Sequence, residues 1–270
     1  MLEGRTLGFI GGGNMAEAII RGLLAGGMPA TSIVVAEPEA QRREFLQGRY
    51  GVGVRAANAD AVTGADAVVL SVKPQMFREV VASLGAPALT GKLLVSIMAG
   101  VTAAAIEETS GAPVRVVRVM PNTPALVLEG ASALSRGSNA SDDDLVFTRQ
   151  IFDLVGTTCV VDEKLMDAVT GLSGSGPAYV FTFIESLSDA GVKNGLPRDA
   201  ATRLAVQTVL GAAKLVQETG DHPAVLRDKV TSPGGTTIAG LAALEREGFR
   251  NAVIAAVDAA TDRSAALGKK

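Results

Sequence analysis

The 270-residue chain carries a single histidine, His222, and a single cysteine, Cys159. One cysteine excludes an internal disulfide. Together the two residues are too few for a structural zinc site, which wants three or four nitrogen or sulfur ligands. A Ser-His-Asp or Cys-His mechanism would rest wholly on His222. That residue stands in DHPAVL directly before Pro223, where capping or solvent exposure suits it better than a catalytic base, so hydrolase chemistry of that kind is set aside. Charge of one sign is lacking as well: 25 Lys+Arg face 28 Asp+Glu, for a net charge of -3, and no like-charged run exceeds Asp142, Asp143, Asp144. The chain offers no electrostatic footprint for nucleic acid or an anionic membrane, so its function is expected in a local site for a small molecule. Apolar stretches such as AVVL at 67–70 fall far short of the roughly 18 residues that read as a membrane span. No basic leader precedes the apolar pattern that begins at Leu7. The expectation is a soluble, cytoplasmic protein of two modest domains, at about 150 residues per domain.

What is present falls into two compositions. From Thr6 to Asp162, short β-branched runs alternate with helical patterns: LGFI, then 14–26; IVVA at 33–36, then 39–49; AVVLSV at 67–72, then 75–84; LLVSIM at 93–98, then 102–109; VRVVRVM at 114–120; TTCVV at 157–161. Strands that are continuously apolar are buried on both faces, which predicts a mostly parallel sheet wrapped by helices. From 163 onward β pattern is nearly absent, and Ala/Leu-rich segments predict helices over 164–170, 177–193, 198–219, 222–230, 236–247 and 249–267. The domains are therefore drawn at 1–162 and 163–270. Ala201, Leu204, Ala205, Thr208, Val209, Ala212, Leu215 and Val216 recur at helical steps with small residues between them. Such helices leave apolar faces over, so the second domain is expected to dimerise.

The first strand runs into Gly11, Gly12, Gly13, Asn14, Met15, Ala16, a match to G-x-G-x-x-G/A on Gly11, Gly13 and Ala16. Gly11 permits the tight turn, Gly13 leaves room for a pyrophosphate, and Ala16 lets the following helix pack on the strand with its N-terminus facing the anion. This context predicts a doubly wound, Rossmann-type dinucleotide-binding domain. Glu37 ends the second strand about 20 residues later, where an acid bonds the adenine ribose and favours NADH. Arg42 and Arg43 follow closely and are suited either to a 2′-phosphate or to a solvated helix face. Ser71, Val72, Lys73, Pro74 and Ile97, Met98, Ala99, Gly100 end two further strands at the same edge. Met120 to Pro124 form a rigid polar turn, and TGLSGSGPAY at 170–179 leads with glycines and Pro177 into a helix. In VTSPGGTTIAG, Ser232, Gly234, Gly235, Thr236 and Thr237 precede a helix. Amides, hydroxyls and the positive end of the helix dipole converge there on a carboxylate-sized anion site.

Taken together, GFIGGGNMAEA, SVKPQ, VMPNTPALVLEGAS, LSGSGPAYVF and VTSPGGTTIAGL resemble pyrroline-5-carboxylate reductase from Leu7 to about Leu267. The resemblance implies reduction of the cyclic imine 1-pyrroline-5-carboxylate to L-proline by NAD(P)H, a Rossmann domain followed by an all-helical dimerisation domain, and a homodimer that assembles into rings such as a decamer. It further implies that Gly11, Gly12, Gly13, Asn14 and Met15 hold the pyrophosphate and that Glu37 meets the adenine ribose. Asn58, Ser71, Val72, Lys73, Pro74, Ile97, Met98 and Ala99 would line the rest of the coenzyme, with Glu163 near it. Lys229, Ser232, Gly235, Thr236 and Thr237 would take the substrate. The family habit is NADPH and Glu37 favours NADH, so both coenzymes stay open. Reduction of a protonated imine asks for little acid–base machinery, and the Thr237 hydroxyl is the candidate for the ring nitrogen. Two other classes compete. A β-hydroxyacid dehydrogenase needs a lysine in the helix after its second glycine motif, whereas here none occurs before Lys193. A non-catalytic NAD-binding protein leaves the loop 231–237 without a purpose.

Overall fold

The computed structural model describes Leu2 and Gly4–Gly268. Packing divides the chain into two compact units: residues up to Ser175 together with those from Ala259 onward, and Gly176–Asp258. The composition change at 163 thus precedes the packing division. Segment 163–175 bonds within the first unit, through Glu163 to Arg118 and Ser173 to Asn122.

The first unit is built on an eight-stranded sheet of β1 Leu7–Ile10, β2 Ile33–Ala36, β3 Gly53–Arg55, β4 Ala67–Leu70, β5 Leu93–Ser96, β6 Arg115–Met120, β7 Gly130–Arg136 and β8 Gly156–Val160, in the order β3-β2-β1-β4-β5-β6-β7-β8. All pairings are parallel except β6 with β7. Between strands run helices α1 Asn14–Ala25, α2 Ala40–Tyr50, α3 Asn58–Val62, α4 Phe77–Leu84, α5 Ala86–Leu89, α6 Ala103–Ser110 and α7 Asp142–Phe152, followed by α8 Met166–Val169. Strand alternation splits the core into two layers. Leu7 and Phe9 face one way with Ile19, Ile20 and Leu23 of α1 and Phe152 of α7. Ile10, Val68 and Leu70 face the other way with Val62 of α3, Phe77 and Val81 of α4 and Ile106 of α6.

Every strand expected from β-branched runs is present. Two strands, β3 and β7, form where no such run points to them. β3 is three residues long, and β7 is GASALSR, without a single β-branched residue; its place is secured by pairing on both sides rather than by propensity. The turn after Met120 continues as a 3₁₀ helix over Thr123–Val127.

The second unit is helical. It holds α9 Gly176–Lys193, α10 Arg198–Thr219, α11 Pro223–Lys229, α12 Thr236–Arg246 and the first half of α13 Phe249–Gly268. His222 caps α11, its Nδ1 accepting from the Ala224 amide at 3.2 Å. Among the described residues of this unit the only buried hydrophobic side chains are Ala201 and Ala205, while Phe181 is 62% and Leu210 57% exposed. A helical unit with so little interior of its own has apolar faces to cover.

Candidate functional site

The carboxyl edge of the first unit's sheet carries the glycine turn. Gly11 has φ +94°, and a Cβ there would lie 2.7 Å from the Ser71 carbonyl oxygen, so both conformation and space require glycine. Ser71 braces the turn from the end of β4. Its amide donates to the Ile10 carbonyl at 2.9 Å, and its hydroxyl is 2.7 Å from the Gly11 carbonyl oxygen. Lys73 is extended, as expected before Pro74. Gly13 is the N-cap of α1, no side chain caps that helix, and a Cβ on Gly13 would meet no atom within 4 Å. The first amides of α1 therefore lack intrahelical partners and open onto unfilled space, which fits a pyrophosphate. Ala16 is fully buried beneath them.

A Cβ on Gly13 would meet no protein atom and would stand where a pyrophosphate is expected, which gives a test. Gly13→Ala puts a poorer capping residue at the N-cap of α1 and is expected to cost no more than about 1 kcal/mol of folding stability. It should weaken coenzyme binding about tenfold or more, read by titration of reduced-coenzyme fluorescence. Unchanged binding would exclude Gly13 from the coenzyme contact.

Glu37 lies beside the turn: its Oε2 accepts from the Gly12 amide at 2.9 Å and its Oε1 from the Glu39 amide at 3.0 Å. Arg42 donates through Nε to the Gly12 carbonyl at 2.6 Å and through Nη2 to Glu17 Oε2 at 2.6 Å. Tyr50 donates to Glu17 Oε1 at 2.7 Å. Burial raises the Glu17 carboxyl, but the hydrogen bonds from Tyr50 and Arg42 and the Arg42 charge outweigh it, so its pKa falls below the ordinary value. The Tyr50 hydroxyl moves the other way, raised by burial and by the anion it serves.

Asn58 and the residues after β5 and β6 also follow the carboxyl ends of parallel strands, whereas Glu163 follows β8, which runs the other way. Asn58 opens α3, half-buried. Ile97, Ala99 and Gly100 follow β5 partly exposed, whereas the Met98 side chain is buried with Ile106 and Val116, leaving only its backbone for a ligand. Glu163 Oε1 accepts from the Ala103 amide at 2.7 Å and from Arg118 at 2.8 Å, tying the start of α6 to β6. Asn122 Nδ2 donates to the Ser173 carbonyl at 3.0 Å, and its Oδ1 accepts from the Ala131 amide at 2.9 Å. Ser173 belongs to a π-helical turn, Thr170–Gly174, a local feature that recurs at functional sites. Neither Arg118 nor Glu17 stood out in the sequence analysis. A charged residue inside the apolar run VRVVRVM was the available sign that Arg118 had a buried partner.

In the second unit, Ser232, Pro233 and Gly234 turn into α12, with Gly234 at φ +67° and Gly235 as an N-cap that no side chain satisfies. The Gly235 amide donates to the Ser232 carbonyl at 3.1 Å. Thr236 and Thr237 are the first two residues of the helix, Thr236 exposed and Thr237 half-buried, so their amides lack intrahelical partners. Lys229 is ion-paired with Asp221 at 2.6 Å. Helix α9 has no lysine before Lys193, its last residue. Among the described residues no His/Cys/Asp/Glu cluster suits a metal, and no helix is long and apolar enough to cross a membrane.

A mostly parallel sheet with an open glycine turn at its carboxyl edge defines a Rossmann-type dinucleotide-binding protein with a helical second unit. Comparison with known proteins agrees and goes further. Residues 6–100 match the family described as NADP oxidoreductase coenzyme F420-dependent, and residues 163–267 match pyrroline-5-carboxylate reductase dimerisation. A pyrroline-5-carboxylate reductase of Synechocystis sp. is 51% identical over 98% of both chains. Among solved structures, the reductase of Coxiella burnetii superposes with a TM-score of 0.93 at 38% identity, covering 98% of this chain and 99% of that one. The Plasmodium falciparum enzyme, solved with NADP bound, gives 0.89 at 36% over 98% and 99%. The chain belongs to the pyrroline-5-carboxylate reductase family.

Proposed function

We propose that the chain reduces 1-pyrroline-5-carboxylate to L-proline with NADPH or NADH, in the cytoplasm. The observation that carries this reading is the end-to-end correspondence with reductases of that name, 51% identity over 98% of both chains in one case. The open glycine turn supports it by supplying a place for a dinucleotide. When bound, the coenzyme supplies the hydride for the imine carbon. The division of labour is 1–162 for the coenzyme and 163–270 for substrate and dimerisation.

Gly11 to Met15 hold the pyrophosphate on the amides of α1, and Glu37 accepts from the adenine ribose. Asn58, Ser71, Val72, Lys73 and Pro74 line one side of the coenzyme, with Ile97 to Ala99 and Glu163. Ser232, Gly235 and Thr236 take the substrate carboxylate with the dipole end of α12, and Lys229 joins them by exchanging Asp221 for the substrate carboxylate. Thr237 directs its hydroxyl at the ring nitrogen, orienting the protonated imine. The experiment is genetic: the gene should restore growth without proline to a bacterium lacking this reduction. Failure by a folded, expressed protein would overturn the reading.

The scant interior of Gly176–Asp258 supports a homodimer formed through these helices, with the decamer as its higher assembly. Sedimentation at micromolar concentration should show a dimer or a multiple of it. A clean monomer would contradict the dimer.

A further inference from the structure

Coenzyme choice is built around Gly12. Its amide serves the Glu37 carboxylate and its carbonyl accepts from Arg42, so one residue is held between an anion and a cation. Two amides, those of Gly12 and Glu39, fix the carboxylate at the end of β2. Each of its oxygens keeps a lone pair for a ribose hydroxyl, while its charge repels a 2′-phosphate.

Two arginines stand close enough in sequence to reverse that preference. Arg43 spends one Nη on the carbonyls of Glu37 and Pro38, at 2.7 Å each. Arg42 is committed more fully. A guanidinium grips phosphate best through two parallel N–H groups on one edge. On Arg42 the Nε and Nη2 edge is taken by the Gly12 carbonyl and Glu17, and the group lies over the Phe45 ring at 5.0 Å. Glu17 is the anchor of this arrangement. Its carboxylate binds Arg42 on one oxygen and the Tyr50 hydroxyl on the other, and the two charged side chains are only 19% and 21% exposed. A pair that far from solvent is screened little by salt.

We propose that Glu17 is a positioning residue for coenzyme specificity: with Tyr50 it holds Arg42 on the Gly12 carbonyl, keeps that guanidinium off a 2′-phosphate beside Glu37, and makes this chain prefer NADH to NADPH. The inference rests on the coenzyme reading above and deepens it. Freed of the Glu17 charge, Arg42 becomes available to a 2′-phosphate.

The test is binding, not turnover: titration of the full chain with NADH and with NADPH, followed by coenzyme fluorescence or calorimetry. The wild type should bind NADH about tenfold or more tightly than NADPH. Glu17→Gln should narrow that ratio by about tenfold through tighter NADPH binding, and adding Arg42→Ala should reverse the gain. Tyr50→Phe, which removes one hydroxyl and is gentler on folding, should move the ratio in the same direction by less. A wild type that binds NADPH as tightly as NADH, or a ratio unmoved in folded Glu17→Gln and Tyr50→Phe, overturns the inference and leaves the coenzyme reading intact. Binding of neither coenzyme overturns both.

Discussion

Thr237→Ala is expected to lower turnover by about one to three orders of magnitude, the range for losing a positioned proton donor or electrostatic group. Thr237 is the second residue of α12 and half-buried, in the turn whose first amides, after Gly235, lack intrahelical partners. The chain's only histidine caps α11, so no imidazole competes for the role. In the proposed site the carboxylate is taken by neighbouring residues and by backbone amides that alanine retains. The expected pattern is therefore a fall in kcat with a small change in KM for the imine. Thr237→Ser keeps the hydroxyl and should recover most of the rate. Steady-state kinetics on the three proteins decides it, with wild-type turnover in Thr237→Ala removing the hydroxyl from the mechanism.

The second large effect is on the fold. Gly8 lies in the middle of β1, and a Cβ there would stand 2.1 Å from the Ala61 carbonyl oxygen and 3.2 Å from the Ala65 Cβ. Gly8 shares its face of the sheet with Ile10, whose layer includes Val62 of α3. The obstacle is backbone, so no rotamer change relieves it, and α3 must move off the strand. Gly8→Ala should cost about 3 kcal/mol or more, at the upper end of overpacking. Asn58, proposed above to line the coenzyme, opens α3, so the same displacement should weaken coenzyme binding. Chemical denaturation checks the cost, and a midpoint like that of wild type would mean that α3 is not held against β1 as described.

Much of this architecture was legible in residues. LGFI followed by GGGNMA specifies a strand, a tight turn and a helix within ten positions, and that is what forms. His222 before Pro223 reads as a cap or a solvent-exposed residue, and the fold makes it the cap. β7 was hidden because GASALSR has no strand propensity of its own and takes its conformation from β6 and β8. The fate of Arg42 was equally hidden. Whether it faces solvent, phosphate or a carboxylate depends on Glu17, 25 residues away on another helix, a tertiary pairing that no local pattern encodes. The same holds for Glu163 with Arg118 and for Asn122 with the π-helical turn. In each case the residue type announced a need for a partner, and only the fold supplied its identity.

The most direct test of the central claim is the loss of reduced-nicotinamide absorbance when purified protein meets 1-pyrroline-5-carboxylate, with NADH and NADPH run in parallel. Rapid, imine-dependent oxidation with formation of L-proline is expected. No oxidation with either coenzyme, by a protein shown to bind one of them, would contradict it.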